Sequence, residues 1–335
     1  MRPALAPVLL AALLPLAACA GSGDSDDITK CPAVKPSGVT VPGLTGRILY
    51  TSSGGGAAAC SGILVMNADG SDRRRITGPP LYVSSPQWSP DGRQIAFGGP
   101  CGETPKPELC ILEADGTGLR AVTHQPGYPA YPAWSPDGRR LAFTRSEVSL
   151  GPDNIYVIGV DGSGEVRITD DTSNKRSPAW TPDGRTIVYE ANNQLQLVPA
   201  TGGRSTPLAP GGTVTQTPAV SHDGRRVAFS SNRSGKEDST YGKETYSSPG
   251  AVLLPPSSGA HDIYVVGIDG KGLTRLTNDV SANYAPVWSP DDQHILFDSD
   301  REGRLELYVM NPDGTGQTRL TNHPEDGAGQ GSWTR

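Results

Sequence analysis

One phrase recurs in register along this chain: WSPDGRQIAF from Trp88, WSPDGRRLAF from Trp134, WTPDGRTIVY from Trp180, VSHDGRRVAF from Val220 and WSPDDQHILF from Trp288. A second phrase keeps step with it. VMNADGSDRRRIT ends at Thr77, ILEADGTGLRAVT at Thr123, VIGVDGSGEVRIT at Thr169, VVGIDGKGLTRLT at Thr277 and VMNPDGTGQTRLT at Thr321; a degenerate copy, LVPATGGRSTPL, ends at Leu208. A period of about 40–46 residues belongs to propeller blades or arrays, whose units bury their apolar faces against one another.

The residues of each unit explain its strands. In SPDG, proline presets φ at the second turn position, while Asp and Gly supply a local hydrogen bond and a positive φ. The turn therefore folds the Trp segment back on RxIAF, whose short apolar run suits a half-buried strand. A third strand such as NIYVIGV follows, DGSG or DGTG turns the chain again, and RIT or RLT forms the outer strand. Four short antiparallel strands per unit make a propeller blade. Composition agrees: 42 Gly and 31 Pro with 35% hydrophobic residues suit short strands and tight turns rather than helices.

Complete units begin near Trp88, Trp134, Trp180, Val220 and Trp288, which gives five blades. RILYTSS, GILVMNA and RRRIT then remain at the start as second, third and outer strands without an inner one. GSWTR, at the other end of the chain, supplies the missing strand. The expected fold is all-β, a six-bladed β-propeller over residues 46–335 whose C-terminal strand closes the N-terminal blade. Closure removes exposed sheet edges.

SPAWTPDGR, APVWSPDD, FSSNRSG, FDSDREG and the IYV…DG…RLT pattern closely resemble the six-bladed propeller repeats of the TolB type, a WD-repeat-like family, over about residues 46–335. The resemblance implies the same fold. It also implies a range of uses, since relatives employ the propeller as a protein-binding surface, as a gate on serine peptidases or as an envelope component.

The start of the chain, MRPALAPVLLAALLPLAAC, has one Arg, an apolar run and small residues ending at Cys19. This is the pattern of a secretory signal, and LAAC resembles a bacterial lipobox. Residues 1–18 are read as a lipoprotein signal peptide and Cys19 as the lipidation site. No other segment approaches the roughly 18 apolar residues of a membrane-spanning helix. Residues 19–45, rich in Gly, Pro, Ser and Asp, read as a flexible tether reaching roughly 25–30 Å. The protein is thus expected outside the cytoplasm, on the extracytoplasmic or periplasmic side of a bacterial membrane, held there by lipid alone. In such a compartment disulfides persist, and Cys31, Cys60, Cys101 and Cys110 allow three pairings. Cys101 and Cys110 flank one hairpin loop and are paired here, leaving Cys31 with Cys60. A zinc site competes, but no C-x-x-C pair exists.

A formal charge of −6 carries no footprint for nucleic acid. The loops joining second to third strands, and outer strands to the next inner strand, fall on one irregular face, and the turns fall on the other. The irregular face carries Tyr82, Tyr128, Tyr131 and Tyr284, and tyrosine offers large contact area with few torsions. An insertion of about 25 residues, Lys236–Ala260, adds Tyr241, Tyr246 and AVLLPP on the same face; loops of this length are usually functional or disordered. Arg233 and Arg301 open two equivalent loops, where simple turn chemistry competes with ligand contact. G-x-S-x-G, H-E-x-x-H and EF-hand patterns are absent, so no catalytic residue, metal or cofactor is expected. His124 and His323 both follow outer strands on the irregular face. The expected function is that of a non-catalytic, membrane-tethered envelope propeller, a monomer, binding a protein or peptide through the loop-rich face. The alternative is a glycan or small-ligand sensor, or a metal-dependent lyase, using the central channel.

Overall fold

The computed structural model describes residues 40–52, 62–77, 83–101, 106–147, 151–208, 215–234, 261–322 and 327–335. Among these, 24 strands form six four-stranded antiparallel sheets, with no helix. Blade 1 combines the inner strand Ala328–Thr334 with Arg47–Ser52, Gly62–Asn67 and Arg74–Arg75. The other blades are each continuous in sequence. Their inner strands are Ser84–Trp88, Ala130–Trp134, Lys175–Trp180, Thr215–Val220 and Asn283–Trp288, for blades 2 to 6. Each inner strand packs against those of both neighbouring blades, so the sheets close into a ring.

The turns are built as their residues require. In blade 2 the Gly92 N–H bonds the Ser89 carbonyl at 2.9 Å, while Asp91 accepts from the Ser89 hydroxyl (2.7 Å) and the Arg93 N–H (3.1 Å). Gly92 sits at φ +66°, a conformation available to glycine without a Cβ penalty. The terminal Thr of the second phrase has an equally regular task. Thr123, Thr169, Thr277 and Thr321 each accept from an N–H near the start of their blade's third strand, that of Leu109, Ile155, Ile263 or Leu307, and donate to the preceding Glu108, Asn154, Asp262 or Glu306. A buried hydroxyl used in both directions leaves no polar atom unsatisfied.

The buried apolar residues fall into six clusters, each shared by two adjacent blades. The tryptophans tie these junctions. The indole N–H groups of Trp134, Trp180 and Trp288 donate at 3.1 Å to Gln87, Ala133 and Ala219, the residues before Trp or Val220 on the preceding blade's inner strand. Over the rings lie side chains from the preceding blade's second strand, Arg47 on Trp88, Arg140 on Trp180 and Arg226 on Trp288, and on Trp333 His294, the residue just before that strand. The guanidinium groups sit 4.4–4.9 Å from the ring centroids, within cation–π range.

The ends of the chain meet at the seam. Arg47, Ile48 and Leu49 pair with Thr334, Trp333 and Ser332. The lead-in residues also belong to the folded body. Val41 donates to the Asp69 carbonyl at 3.0 Å, Val41 and Leu44 pack on the core between blades 6 and 1, and the Trp333 indole donates to Thr45 at 2.9 Å. Val41, Leu44 and Thr45, which the tether's composition places at or before the boundary at residue 45, thus contact the propeller.

At one junction two departures from the repeat answer each other. SHDG places His222 where the other turns have Pro, and SPDD places Asp292 where they have Gly. Proline has no N–H; His222 has one, and it donates to Asp292 Oδ1 at 2.8 Å, while the Asp223 N–H donates to Oδ2 at 2.8 Å. His222 Nδ1 also lies 3.0 Å from Oδ1. Asp292 adopts φ +57°, which Asp tolerates better than most residues. Restoring the repeat on one side only, by His222→Pro or Asp292→Gly, is expected to cost ~1 kcal/mol each. The double variant should recover part of that loss. Denaturant titrations read as a double-mutant cycle check it, and additive losses would mean that the contact contributes nothing.

The seam gives a second expected outcome. Gly46 is at φ +90°, and an added Cβ would overlap the Thr334 carbonyl; Gly43 is at φ +91° with nothing near its Cβ position. Gly43→Ala should lose only the left-handed backbone cost of ~1 kcal/mol. Gly46→Ala should lose ~2–4 kcal/mol by displacing the closing strand. Equal melting temperatures for the two variants would contradict this.

Candidate functional site

The inner strands share a feature that the sequence reading missed. Three positions before each Trp, or before Val220, stands a residue with positive φ: Ser85, Tyr131, Ser177, Thr217, Ala285 and Gln330, at 48–56°. None is glycine. At each of these the pairing with the second strand slips, the mark of a β-bulge. The available signal was the following residue: Pro86, Pro132, Pro178, Pro218 and Pro286, with Gly331 in blade 1. Proline cannot donate to a sheet ladder and is confined to edges and bulges. Because all six blades carry the bulge, it is architectural. It bends the start of each inner strand at the loop-rich mouth of the channel.

Just before the bulge each inner-strand residue faces one on the second strand: Gly329 with Thr51, Ser84 with Gly98, Ala130 with Thr144, Arg176 with Glu190, Gln216 with Ser230 and Tyr284 with Asp298. In blades 1, 3 and 5 the second-strand hydroxyl donates to the carbonyl opposite, Thr51 to Gly329 at 2.9 Å, Thr144 to Ala130 at 3.3 Å and Ser230 to Gln216 at 3.2 Å. Blade 2 reverses the bond, with Ser84 donating to the Gly98 carbonyl at 3.2 Å. Blades 4 and 6 place acids there instead. Glu190 is 8% exposed and Asp298 is 4% exposed.

Burial pushes both carboxyls up to about 7, opposed by Arg176 at Glu190 and by the Gln330 N–H at Asp298. Asp153, at the start of blade 3's third strand, is raised by burial as well, with Arg176 again opposing. Tyr131, half-buried at the blade 3 bulge, is pushed up to about 12 by burial, and Arg176, Glu190 and Asp153 all act on it. Tyr131, Asp153, Arg176 and Glu190 thus form one polar group at the mouth between blades 3 and 4. Arg176 and Glu190 face each other across the strands, yet among the described residues neither side chain has a hydrogen bond or ion pair. Beside them Lys175 is buried and satisfied by the Asp171 carbonyl (2.8 Å), the Asp171 carboxylate (2.5 Å) and the Ser173 carbonyl (2.6 Å). Against the upward push of burial, Lys175 and Ser173 hold the Asp171 carboxyl at about 2.

The other residues singled out from sequence fall in different settings. Tyr128 stands 60% exposed on the loop between blades 2 and 3, with His124 exposed nearby. Tyr284 is 3% exposed, its ring 4.9 Å from that of His261, so it underlies the face instead of presenting itself on it. Arg233 lies 5.1 Å over both Phe229 and Tyr264. Arg301 lies over Phe297 and Tyr308, and bonds Asp279 (2.9 Å), Asn283 (3.1 Å) and Gln317 (2.8 Å). Both arginines cap the aromatic pair of their own blade, as Arg145 does over Phe143 and Tyr156. Cys101 and Cys110 are joined by a disulfide. Cys19, Cys31, Cys60, Tyr82, Tyr241, Tyr246, His323 and the Lys236–Ala260 insertion lie outside the described residues. Among the described residues no group of three or more His, Cys, Asp and Glu side chains could hold a metal ion.

No curated protein matches the chain. Among solved structures, TolB from Acinetobacter baumannii superposes with a TM-score of 0.70 at 20% identity, over 88% of this chain and 68% of that one. A protein of Agrobacterium tumefaciens assigned to TolB gives 0.61 at 19% identity, over 88% and 100%. Hydrazine synthase from Kuenenia stuttgartiensis gives 0.66 at 16% identity, over 89% and 48%, so the same ring also occurs within an enzyme. At these identities the likeness is one of fold. The model of the TolB beta propeller domain matches residues 43–257 and 248–334, and with its six blades and closing strand the chain belongs to that family.

Proposed function

We propose that this protein is a non-catalytic binding propeller of the bacterial cell envelope that takes a protein or peptide partner on its loop-rich face and is held to a membrane by a lipid on Cys19. The observation that carries the binding reading is the contrast on that face. A largely exposed aromatic ring, Tyr128, stands on a loop of the same face as a mouth where Arg176 and Glu190 have no hydrogen bond or ion pair among the described residues. Val280, 76% exposed on the loop between blades 5 and 6, adds a second outward apolar side chain. Exposed aromatic area on the same face as charged side chains without hydrogen bonds suits an interface, where both are covered together. By contrast, the turn carboxylates on the opposite face are bonded within their own turns, as at Asp91, Asp137 and Asp183. The family supports an envelope location, and the signal-like N-terminal sequence agrees with it. Tyr82, Tyr241, Tyr246 and the insertion belong to the same proposed surface, and Arg233 and Arg301 serve it by holding loops in place.

A photo-crosslinking side chain at position 128, in cells, should capture a discrete protein adduct. The same group at position 271, an exposed turn lysine on the opposite face, should not. Adducts of equal yield at both positions, or none at 128, would overturn the binding reading. For the anchor, Cys19→Ala should move the protein from the membrane fraction to the soluble one. Unchanged partitioning would contradict lipidation and leave the binding face untouched.

A further inference from the structure

We propose that Asp298 is a proton-operated latch at the ring seam: the closing strand of blade 1 packs down on it while it is protonated and uncharged, and when it ionises the cost of keeping a charge buried there loosens the seam.

The geometry is specific to this junction. Asp298 Oδ2 accepts the N–H of Gln330, the bulge residue of the closing strand, at 2.9 Å. Asp298 Oδ1 is buried and, among the described residues, has no hydrogen-bond partner. Gly329, beside it, has no side chain, and a Cβ there would come within 3.1 Å of Oδ2. Gln330 continues the connection, its Oε1 accepting the N–H of Ser85 at the next bulge at 2.9 Å. Asp298 thus begins a chain of bonds from blade 6 through blade 1 to blade 2. No other junction is closed by a strand from the far end of the sequence.

The repeat shows what the second oxygen lacks. In blades 1, 3 and 5 this position donates a hydroxyl proton to the carbonyl facing it. In blade 6 the facing residue is Tyr284. A protonated Asp298 is neutral and, like Thr51, Thr144 and Ser230, has one O–H to give. An ionised Asp298 has only acceptors: its charge strengthens the bond from the Gln330 N–H, but Oδ1 is left buried with no donor among the described residues. Among the described residues no neighbouring charge relieves it. The inner strand offers the Tyr284 phenol, and the third strand offers Leu307 opposite. Glu306, next to Leu307, is engaged by Thr321 and Arg319. The closing strand offers Gly329, Gln330 and Gly331, and the adjoining second strand of blade 1 offers Thr51, all neutral.

The sign follows from linkage. The closed ring binds the proton more tightly than water-exposed chain does, with a carboxyl raised to about 7 from 3.8. Its stabilising contribution is complete below the ordinary carboxylate value and is lost as pH rises, levelling off once Asp298 ionises in the closed ring as well. An opening that exposes Asp298 should therefore become more frequent by on the order of 50-fold between pH 5 and pH 7, and change little above pH 8.

Hydrogen exchange of the full chain, followed by mass spectrometry on the 328–334 segment and expressed as protection relative to the unstructured rate, reads this directly. Wild type should lose protection in that segment from pH 5 to pH 7. Asp298→Asn, which keeps an acceptor for Gln330 and cannot ionise, should show no such loss, and Asp298→Ser, the choice of blade 5, should behave likewise. Asp313→Asn, at an exposed turn, should follow wild type. A carbon-13 titration of aspartate-labelled wild type, needing no variant, should find one carboxyl that stays protonated above pH 6. Equal pH profiles for wild type and Asp298→Asn, or the absence of that late-titrating carboxyl, would overturn the latch.

Discussion

Pairing between Ala328–Thr334 and Arg47–Ser52 is the constraint on which the rest of this molecule depends. It joins residues as far apart in sequence as Thr51 and Gly329, 278 positions, through the threonine hydroxyl as well as the ladder. Bringing chain ends together over such a distance costs loop-closure entropy that grows only slowly with length. The return is large, because the core lies between blades and not within them. Without the last strand, the cluster of Ile48, Leu64, Met66, Leu296, Leu307 and Trp333 would lose its centre, and blades 6 and 1 would face each other across water. Five junctions made by continuous chain therefore gain their full value only when the sixth is made.

Much of this was readable in the residues because the repeat states each task six times or nearly so. SPDG and DGTG announce turns by chemistry that works locally, and the count of unmatched strands predicts the seam. The bulges were not read, although Pro86, Pro132, Pro178, Pro218 and Pro286 mark them, because a proline before a tryptophan carries no turn signature of its own. Its meaning emerges only when the strand is paired and the missing N–H is seen to fall at a slip in register. Tyr284 and Arg301 show a second limit. Residue type made them plausible contacts, but exposure is decided by neighbours that are distant in sequence, His261 for the tyrosine, and Asp279 and Gln317 for the arginine.

Departures from a repeat carry different information from the repeat itself. His222 and Asp292 break two turns, and they compensate each other across a blade junction through the N–H that proline would have lacked. That departure is structurally self-contained. Glu190 and Asp298 break the small-polar rule at the channel mouth, and nothing among the described residues compensates either one fully. Burying a carboxyl where serine or threonine suffices in neighbouring blades lowers stability at neutral pH, and such positions tend to be kept for what the group does.

The two acids differ in what surrounds them, and this separates their roles. Glu190 faces Arg176, with Tyr131 and Asp153 within electrostatic reach, so charge can be gained or lost there without leaving an isolated ion. That arrangement suits a surface awaiting a partner whose own polar groups complete it. Asp298 has only a backbone N–H and neutral side chains around it, so its charge state acts on the fold itself. One position of the repeat, occupied by an acid in two blades, thus sits beside a cation in one and among neutral groups in the other, the difference on which the proposed recognition surface and the proposed seam latch rest. The divide between the two is set by the residue across the strand, Arg176 in one blade and Tyr284 in the other.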